Sequence, residues 1–309
     1  MKLISLNDHE ETKLGIWTEE GVISVADAVK AVGGAGAPNV PQTIMQAIKQ
    51  GTDGIDALKN LMDRLSAEST KTWLLEEEGL SFEPCVTNPS KIICVGLNYR
   101  KHADETHAPY PQTPILFNKF NNALTGHNRD VVVPAVTAKL DYEAELGIVI
   151  GKPAKNVSVE EALDYVYGYC AANDLSARDL QLRTNQWMLG KTCDGFCPLG
   201  PYLVTADEVG DPNALGIKTT VNGEVRQNSN TSDMIFRCDE IISYVSRHMT
   251  LDPGDLILTG TPEGVVFGYP PEQQVYLRPG DVVTVEIEKL GTLRNRFVRD
   301  IEPDRPLTP

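Results

Sequence analysis

The chain has 309 residues, and 28 Lys+Arg against 43 Asp+Glu leave a formal charge of −15. With no basic tail or basic run, that balance excludes polyphosphate recognition, which draws its affinity from clustered cations, so nucleic acid is not an expected partner. Apolar residues make up 41% and charged residues 23%, a globular composition; no apolar run approaches the ~20 residues of a membrane span, and the acidic opening MKLISLNDHEETK does not read as a signal peptide, so the expected location is cytoplasmic.

Residues 1–85 read as a small N-terminal accessory domain of α+β type. Strand-like pieces stand at 3–6 and 14–17. A glycine-rich loop follows at 33–38, where Pro38 stops any helix. Ile44, Ala47, Ile48, Ile55, Leu58 and Leu61 then recur near helical spacing over 42–61. The Gly34/Gly36 pair lacks the third glycine of a dinucleotide-binding loop, which counts against a nicotinamide-dependent oxidoreductase. A punctuated stretch from Pro84 to Pro89 separates this unit from the main domain, expected over residues 90–301. There the texture is β, with strands predicted at 92–95, 131–133, 145–150, 165–171, 218–221, 256–259 and 282–287. Helical segments are predicted at 98–106, 159–165, 177–186 and 239–248. Asn222-Gly223 is a two-residue hairpin signal, because both positions want positive φ. This is a strand-rich α+β pattern, not a βαβ alternation. Six cysteines without a CxxC pair, in a chain large enough to fold without staples, are expected to be reduced and mostly buried.

Chemistry concentrates in five segments. In a strand, residues i and i+2 share a face, so Glu143 and Glu145 place two carboxylates side by side, and an apolar run aims a third, Asp174. Three oxygen donors without a Cys or His cluster suit a hard ion, Mg²⁺ or Mn²⁺; the alternative is a solvated acidic strand face. His102 and Glu105, three apart on a helix, can form a base held in one tautomer. His9, His127 and His248 have no evident partners. Lys191 in Gly190-Lys191-Thr192 is not part of a phosphate loop, because Asn185 stands where that motif needs glycine. It remains a compact charge able to balance an anion. Cys193 and Cys197 lack further zinc ligands and read as packing residues. Thr261 lies in the glycine-bracketed turn Thr259-Gly260-Thr261-Pro262-Glu263-Gly264, and the GxSxG elbow of a serine hydrolase is absent.

The ordered motifs VGLNYRKHADE, LDYEAELGIVIG, ANDLSARDLQ, GKTCDGFCPLGP, SDMIF and LTGTPEGV resemble the fumarylacetoacetate hydrolase superfamily from about Lys91 to Val298. The resemblance implies a mixed β-sandwich roll, a bound divalent cation, usually Mg²⁺, and a homodimer. It implies that Glu143, Glu145 and Asp174 are the metal ligands. By the same resemblance His102 and Glu105 are a water-activating pair on a lid-like segment, Lys191 stabilises developing negative charge, and Arg178, Gln181 and Thr261 contact substrate. The substrate expected is a small 2-oxo acid, and no membrane partner is implied. Residues and family agree on a reaction through the enolate of pyruvate. The first reading is an acylpyruvate hydrolase cleaving a C–C bond in 2,4-dioxo acids; the alternatives are oxaloacetate decarboxylation and isomerisation by proton transfer. An anionic substrate in so acidic a chain requires local cations, expected from Arg178 and Lys191 with Arg100 or Arg183.

Overall fold

The computed structural model describes residues 1–8, 11–33, 39–68 and 70–300. His9 and residues 34–38 of the expected glycine-rich loop lie outside them. The segment Ala144–Ile150, AELGIVI, is buried at every position, as in a strand covered on both faces. It runs antiparallel to Val166–Asn173 on one side and to Leu256–Leu258 on the other. These strands form the middle of a ten-stranded sheet, ordered Leu74–Leu75, Gly21–Ser24, Glu11–Thr18, Lys2–Asp8, Leu203–Thr205, Val166–Asn173, Ala144–Ile150, Leu256–Leu258, Ile92–Gly96, Ile115–Lys119. A five-stranded sheet, ordered Glu224–Asn230, Gly216–Val221, Val282–Ile287, Gly291–Arg299, Asp130–Val133, stacks against it. Its Ile217, Val285, Ile287 and Leu293 share one buried cluster with Leu146, Ile148, Tyr169 and Ala171 of the large sheet. The architecture is sheet-dominated α+β, as expected.

Lys2–Asp8 pairs antiparallel with Leu203–Thr205, so the N-terminal strands extend the large sheet. Leu3, Leu14, Ile44 and Leu58 share a buried cluster with Val149, Cys170 and Leu203. The helical spacing over 42–61 resolves into Ile44–Gln50 and Thr52–Leu65, because Gly51 between them takes φ 58°. The hairpin turn is as expected, with Asn222 at φ 53° and Gly223 at φ 83° joining Gly216–Val221 to Glu224–Asn230.

Helices around the site are shorter than expected. The helix expected over 98–106 spans Arg100–Glu105, because Asn98 is buried with its side chain bonded to Phe236 and Thr259. The one expected over 177–186 stops at Gln181; Thr184 bonds the backbone of Gln186 instead, a local turn that competes with the helix. The segment 159–165 contributes a 3₁₀ turn, Ala162–Tyr165, whereas Cys238–His248 is helical where 239–248 was predicted. The edge strand Ile115–Lys119 was not anticipated: it follows Pro111 and Pro114, is five residues long, and ends in the polar Asn118 and Lys119.

All six cysteines are free, five buried and Cys193 half-buried. No described helix is long and apolar enough to cross a membrane.

Candidate active site

The antiparallel register sets Ala144 opposite Asn173, so the start of one central strand meets the end of its neighbour. There the Asp174 N–H donates to the Glu143 carbonyl at 2.9 Å and the Glu143 N–H to Asn173 Oδ1 at 3.0 Å. Glu145 follows on the face of Glu143. The carboxylates of Glu143, Glu145 and Asp174 are all buried, and each offers an oxygen within 4.8 Å of the others. At an effective dielectric of about 20, two such charges repel by roughly 3–4 kcal/mol per pair. The arrangement therefore needs positive charge.

Three cations supply part of it. Lys191 Nζ donates to Glu143 Oε2 at 2.6 Å and to Asp174 Oδ2 at 2.9 Å. Arg178 Nη2 donates to Glu143 Oε1 at 2.7 Å. Lys119, fully buried, pairs with Asp174 Oδ1 and also donates to the Leu175 carbonyl at 3.1 Å. Burial raises the pKa of Glu143, but Arg178 and Lys191 outweigh it and hold that carboxyl well below the usual range. Glu145 is different: burial, then the charges of Asp174 and Glu143, push its pKa well up, against Lys191 and a 2.8 Å bond from the Gly260 N–H. Burial disfavours charge on Lys191 too, yet Asp174 and Glu143 raise its pKa. Glu145 is thus the carboxylate at which added positive charge relieves most strain. An all-oxygen donor set of this kind fits a hard divalent cation. Among the described residues, no other group of three His, Cys, Asp or Glu side chains converges in this way.

The cluster opens into a cavity of about 230 Å³. Glu143, Glu145, Arg178 and Lys191 form one wall, Gln181 and Thr261 flank it, and His102 faces the same space. Asp174 and Glu105 stand behind this lining. His102 Nδ1 lies 2.7 Å from Glu105 Oε1, and the other oxygen of Glu105 accepts the Gly264 N–H at 2.9 Å. With Nδ1 engaged, Nε2 is the ring nitrogen left for proton transfer. Thr261 Oγ1 receives a bond from Gln227 Nε2 at 2.9 Å, while Gln227 Oε1 accepts from Ala144 N at 3.0 Å and Thr219 Oγ1 at 2.8 Å. The remaining wall is apolar: Trp187 meets Phe117 edge-on with centroids 5.3 Å apart, beside Val95, Leu97 and Leu182.

Residues 91–298 match the family described as Fumarylacetoacetate (FAA) hydrolase C-terminal. The chain belongs to that family. It is 44% identical over 264 residues to oxaloacetate tautomerase fahd2, mitochondrial, of Xenopus laevis, across 84% of this chain and 80% of that protein. Among solved structures, fumarylacetoacetate hydrolase from psychrophilic Exiguobacterium antarcticum aligns with a TM-score of 0.80 at 32% identity, over 97% of this chain and 100% of that one. Maleylpyruvate hydrolase from Sphingobium sp. SYK-6, in complex with manganese(II) and pyruvate, aligns with a TM-score of 0.75 at 30% identity, over 97% and 99%. This fumarylacetoacetate hydrolase family member is an enzyme, acting on a small molecule.

In this family member the structure also brings forward residues that sequence reasoning missed. Lys119 and Phe117 arrive on the unanticipated edge strand. Asp141 and Gln227, both buried, and the half-buried Trp187 were passed over because nothing local marks them as part of a site. Of the expected local cations, Arg178 and Lys191 line the cavity. Arg100 instead donates to the carbonyls of Asp233 and Met234, and Arg183 is exposed outside the lining. Two further histidines do have partners. His127 Nδ1 accepts the Arg294 N–H at 3.1 Å and its ring packs edge-on against Phe82, with burial pulling its pKa down to about 4. His248 Nδ1 lies 2.9 Å from the Tyr244 carbonyl.

Lys191 is delivered by the four-residue helix Met188–Lys191, which presses on the Arg178 helix through Gly190. A Cβ there would fall 2.5 Å from the Gln181 nitrogen and 2.6 Å from the Ala177 carbonyl oxygen, so the two backbones must separate to admit one. Gly190→Ala is expected to lower kcat/KM by about 10- to 100-fold through misplacement of Lys191, at a stability cost of about 1–3 kcal/mol. Turnover measured alongside urea unfolding separates the two effects.

Proposed function

We propose that this enzyme moves a proton at C3 of a small 2-oxo acid of the oxaloacetate type, interconverting its enol and keto forms. The observation that carries this reading is the His102–Glu105 pair. A proton-transfer nitrogen, held by a carboxylate that is itself braced by Gly264 N–H, faces the same cavity as a carboxylate–cation cluster suited to an enolate. The 44% identity to an oxaloacetate tautomerase over most of both chains supports the same reaction and moves the isomerase branch ahead of hydrolysis.

Glu143, Glu145 and Asp174 would hold a divalent ion, Mg²⁺ or Mn²⁺. When bound, such an ion supplies Lewis-acid polarisation of the 2-oxo group. Arg178, Gln181 and Thr261 bind and orient the substrate carboxylate, and Lys191 offsets negative charge as it develops on the 2-oxo oxygen. His102 Nε2 delivers or takes the proton at C3 while the enol hydroxyl loses or regains its own. No bond between heavy atoms forms or breaks; the electron pair of the C2=C3 double bond takes the proton at C3 as the C2–O bond becomes C2=O. The apolar wall of Trp187, Phe117 and Leu97 limits water around the enolate.

A second reading, acylpyruvate hydrolysis, is favoured by the same dyad, because a base of this kind can also activate water, and by the likeness to a maleylpyruvate hydrolase. Water oxygen then bonds to C4, the C3–C4 bond breaks, and C3 takes a proton to give pyruvate and the acid of the acyl group. One experiment separates the branches. The ultraviolet decay of enol-oxaloacetate, and pyruvate release from acetylpyruvate, fumarylpyruvate and oxaloacetate, are followed with and without Mg²⁺ or Mn²⁺. Faster enol decay without pyruvate release is expected. Pyruvate from the acylpyruvates would move the assignment to hydrolase, pyruvate from oxaloacetate to decarboxylase, and inertness towards all of them would overturn the enzymatic reading.

A further inference from the structure

We propose that Asp141, which does not line the cavity, is a positioning residue that aims the Arg178 guanidinium at the substrate and ties it to the turn bracing the His102–Glu105 pair. This rests on the 2-oxo acid reading above.

Asp141 has no exposed surface, where an uncompensated carboxylate is very costly. Its oxygens accept four N–H groups. Oδ1 takes Tyr142 N at 2.9 Å and Val266 N at 2.8 Å, and Oδ2 takes Phe267 N at 2.9 Å and Arg178 Nε at 2.9 Å. The Arg178 side reaches the substrate space. A guanidinium has five N–H donors in a rigid plane. With Nε on Asp141, Nη2 on Glu143 and Nη1 on Gln181 Oε1 at 3.0 Å, that plane is fixed, and one N–H on each terminal nitrogen remains for the cavity that Arg178 lines. The Phe267 side reaches the dyad. Phe267 lies against the guanidinium, 5.5 Å from ring centroid to Cζ. The turn that carries it also donates Gly264 N–H to Glu105, and a Cβ on Gly268 would fall 2.5 Å from Glu105 Cδ. One buried carboxylate therefore sets both the direction of a substrate-facing cation and the seat of the proton-transfer pair. Two backbone N–H bonds alone would anchor the turn; the added ion pair with a residue of the cavity wall points to orientation.

The test uses the full-length protein loaded with Mn²⁺ and titrated calorimetrically with oxalate, a non-reacting mimic of a 2-oxo acid. Asp141→Asn is expected to weaken oxalate binding by about 10- to 100-fold and to raise KM more than it lowers kcat, with Mn²⁺ affinity changed less than about threefold. In an Arg178→Met background the same substitution is expected to cost no further oxalate affinity. If Asp141→Asn does not fold, Arg178→Lys, which keeps the charge without the fork, is expected to show the same selective loss of oxalate. Wild-type oxalate affinity in Asp141→Asn at full Mn²⁺ loading, or in Arg178→Lys, overturns the proposal, as does a loss undiminished in the Arg178→Met background. A wild-type protein that takes Mn²⁺ but no oxalate overturns the functional reading, and this proposal with it; that outcome is seen before any variant is compared.

Discussion

Glu145→Gln is expected to abolish metal-dependent turnover, by about 10³-fold or more, since a Lewis-acid ion contributes several kcal/mol to the reaction. It is also expected to stabilise the protein when no ion is added. The sign follows from the surroundings of Glu145. Burial and the neighbouring charges of Asp174 and Glu143 raise its folded-state pKa well above the ordinary value of 4.5. The folded state then binds a proton more tightly than the unfolded one, and the stability so gained is complete below pH 4.5 and is lost as pH rises towards the raised value. Glutamine does not ionise, so ion-free Glu145→Gln should unfold at a higher temperature than ion-free wild type at pH 7–8. The difference should shrink towards pH 4. Added Mg²⁺ or Mn²⁺ should raise the wild-type midpoint through binding to the native state alone and leave the variant unmoved. Thermal unfolding with and without the ion, at both pH values, measures all of this. An ion response in Glu145→Gln equal to that of wild type would remove Glu145 from the site.

His102→Asn is expected to lower kcat by about 10²- to 10⁴-fold, the range for loss of a positioned general acid–base, while the ion-induced rise in midpoint persists. Asparagine cannot take and return a proton near neutral pH, but it leaves the three carboxylates, Lys191 and Lys119 untouched. Glu105→Gln is expected to fall between this variant and wild type, because the amide oxygen can still accept from His102 Nδ1 but its NH₂ then faces the Gly264 N–H. Single-turnover decay of enol-oxaloacetate beside the unfolding midpoints checks the pair. A His102→Asn protein with wild-type turnover would leave the proton transfer to another group.

The parts of the site legible in the sequence are those whose geometry is local. Glu143 and Glu145 share a strand face by the two-residue period, His102 and Glu105 share a helix face by the three-residue step, and Asn222-Gly223 demands its turn. The parts that were not legible depend on partners distant in the chain. Lys119 meets Asp174 across 55 residues and Arg178 meets Asp141 across 37. Lys119 and Asp141 look in isolation like solvated surface residues, and only the tertiary pairing shows that they are buried. The strand Ile115–Lys119 was missed for a related reason: it is an edge strand, half covered and preceded by prolines, and its apolar alternation is weak. Exposure of the run Leu182 to Gln186 likewise shortened a helix that the spacing alone would have continued.

The central claim is that Glu143, Glu145 and Asp174 together hold one divalent ion beside His102. Anomalous scattering at the manganese edge, from crystals grown with Mn²⁺ and oxalate, tests it most directly. The expected result is a single strong peak within bonding distance of all three carboxylates, with oxalate between it and Arg178. A fully loaded crystal whose manganese lies elsewhere, with Lys191 alone bridging Glu143 and Asp174, would contradict it.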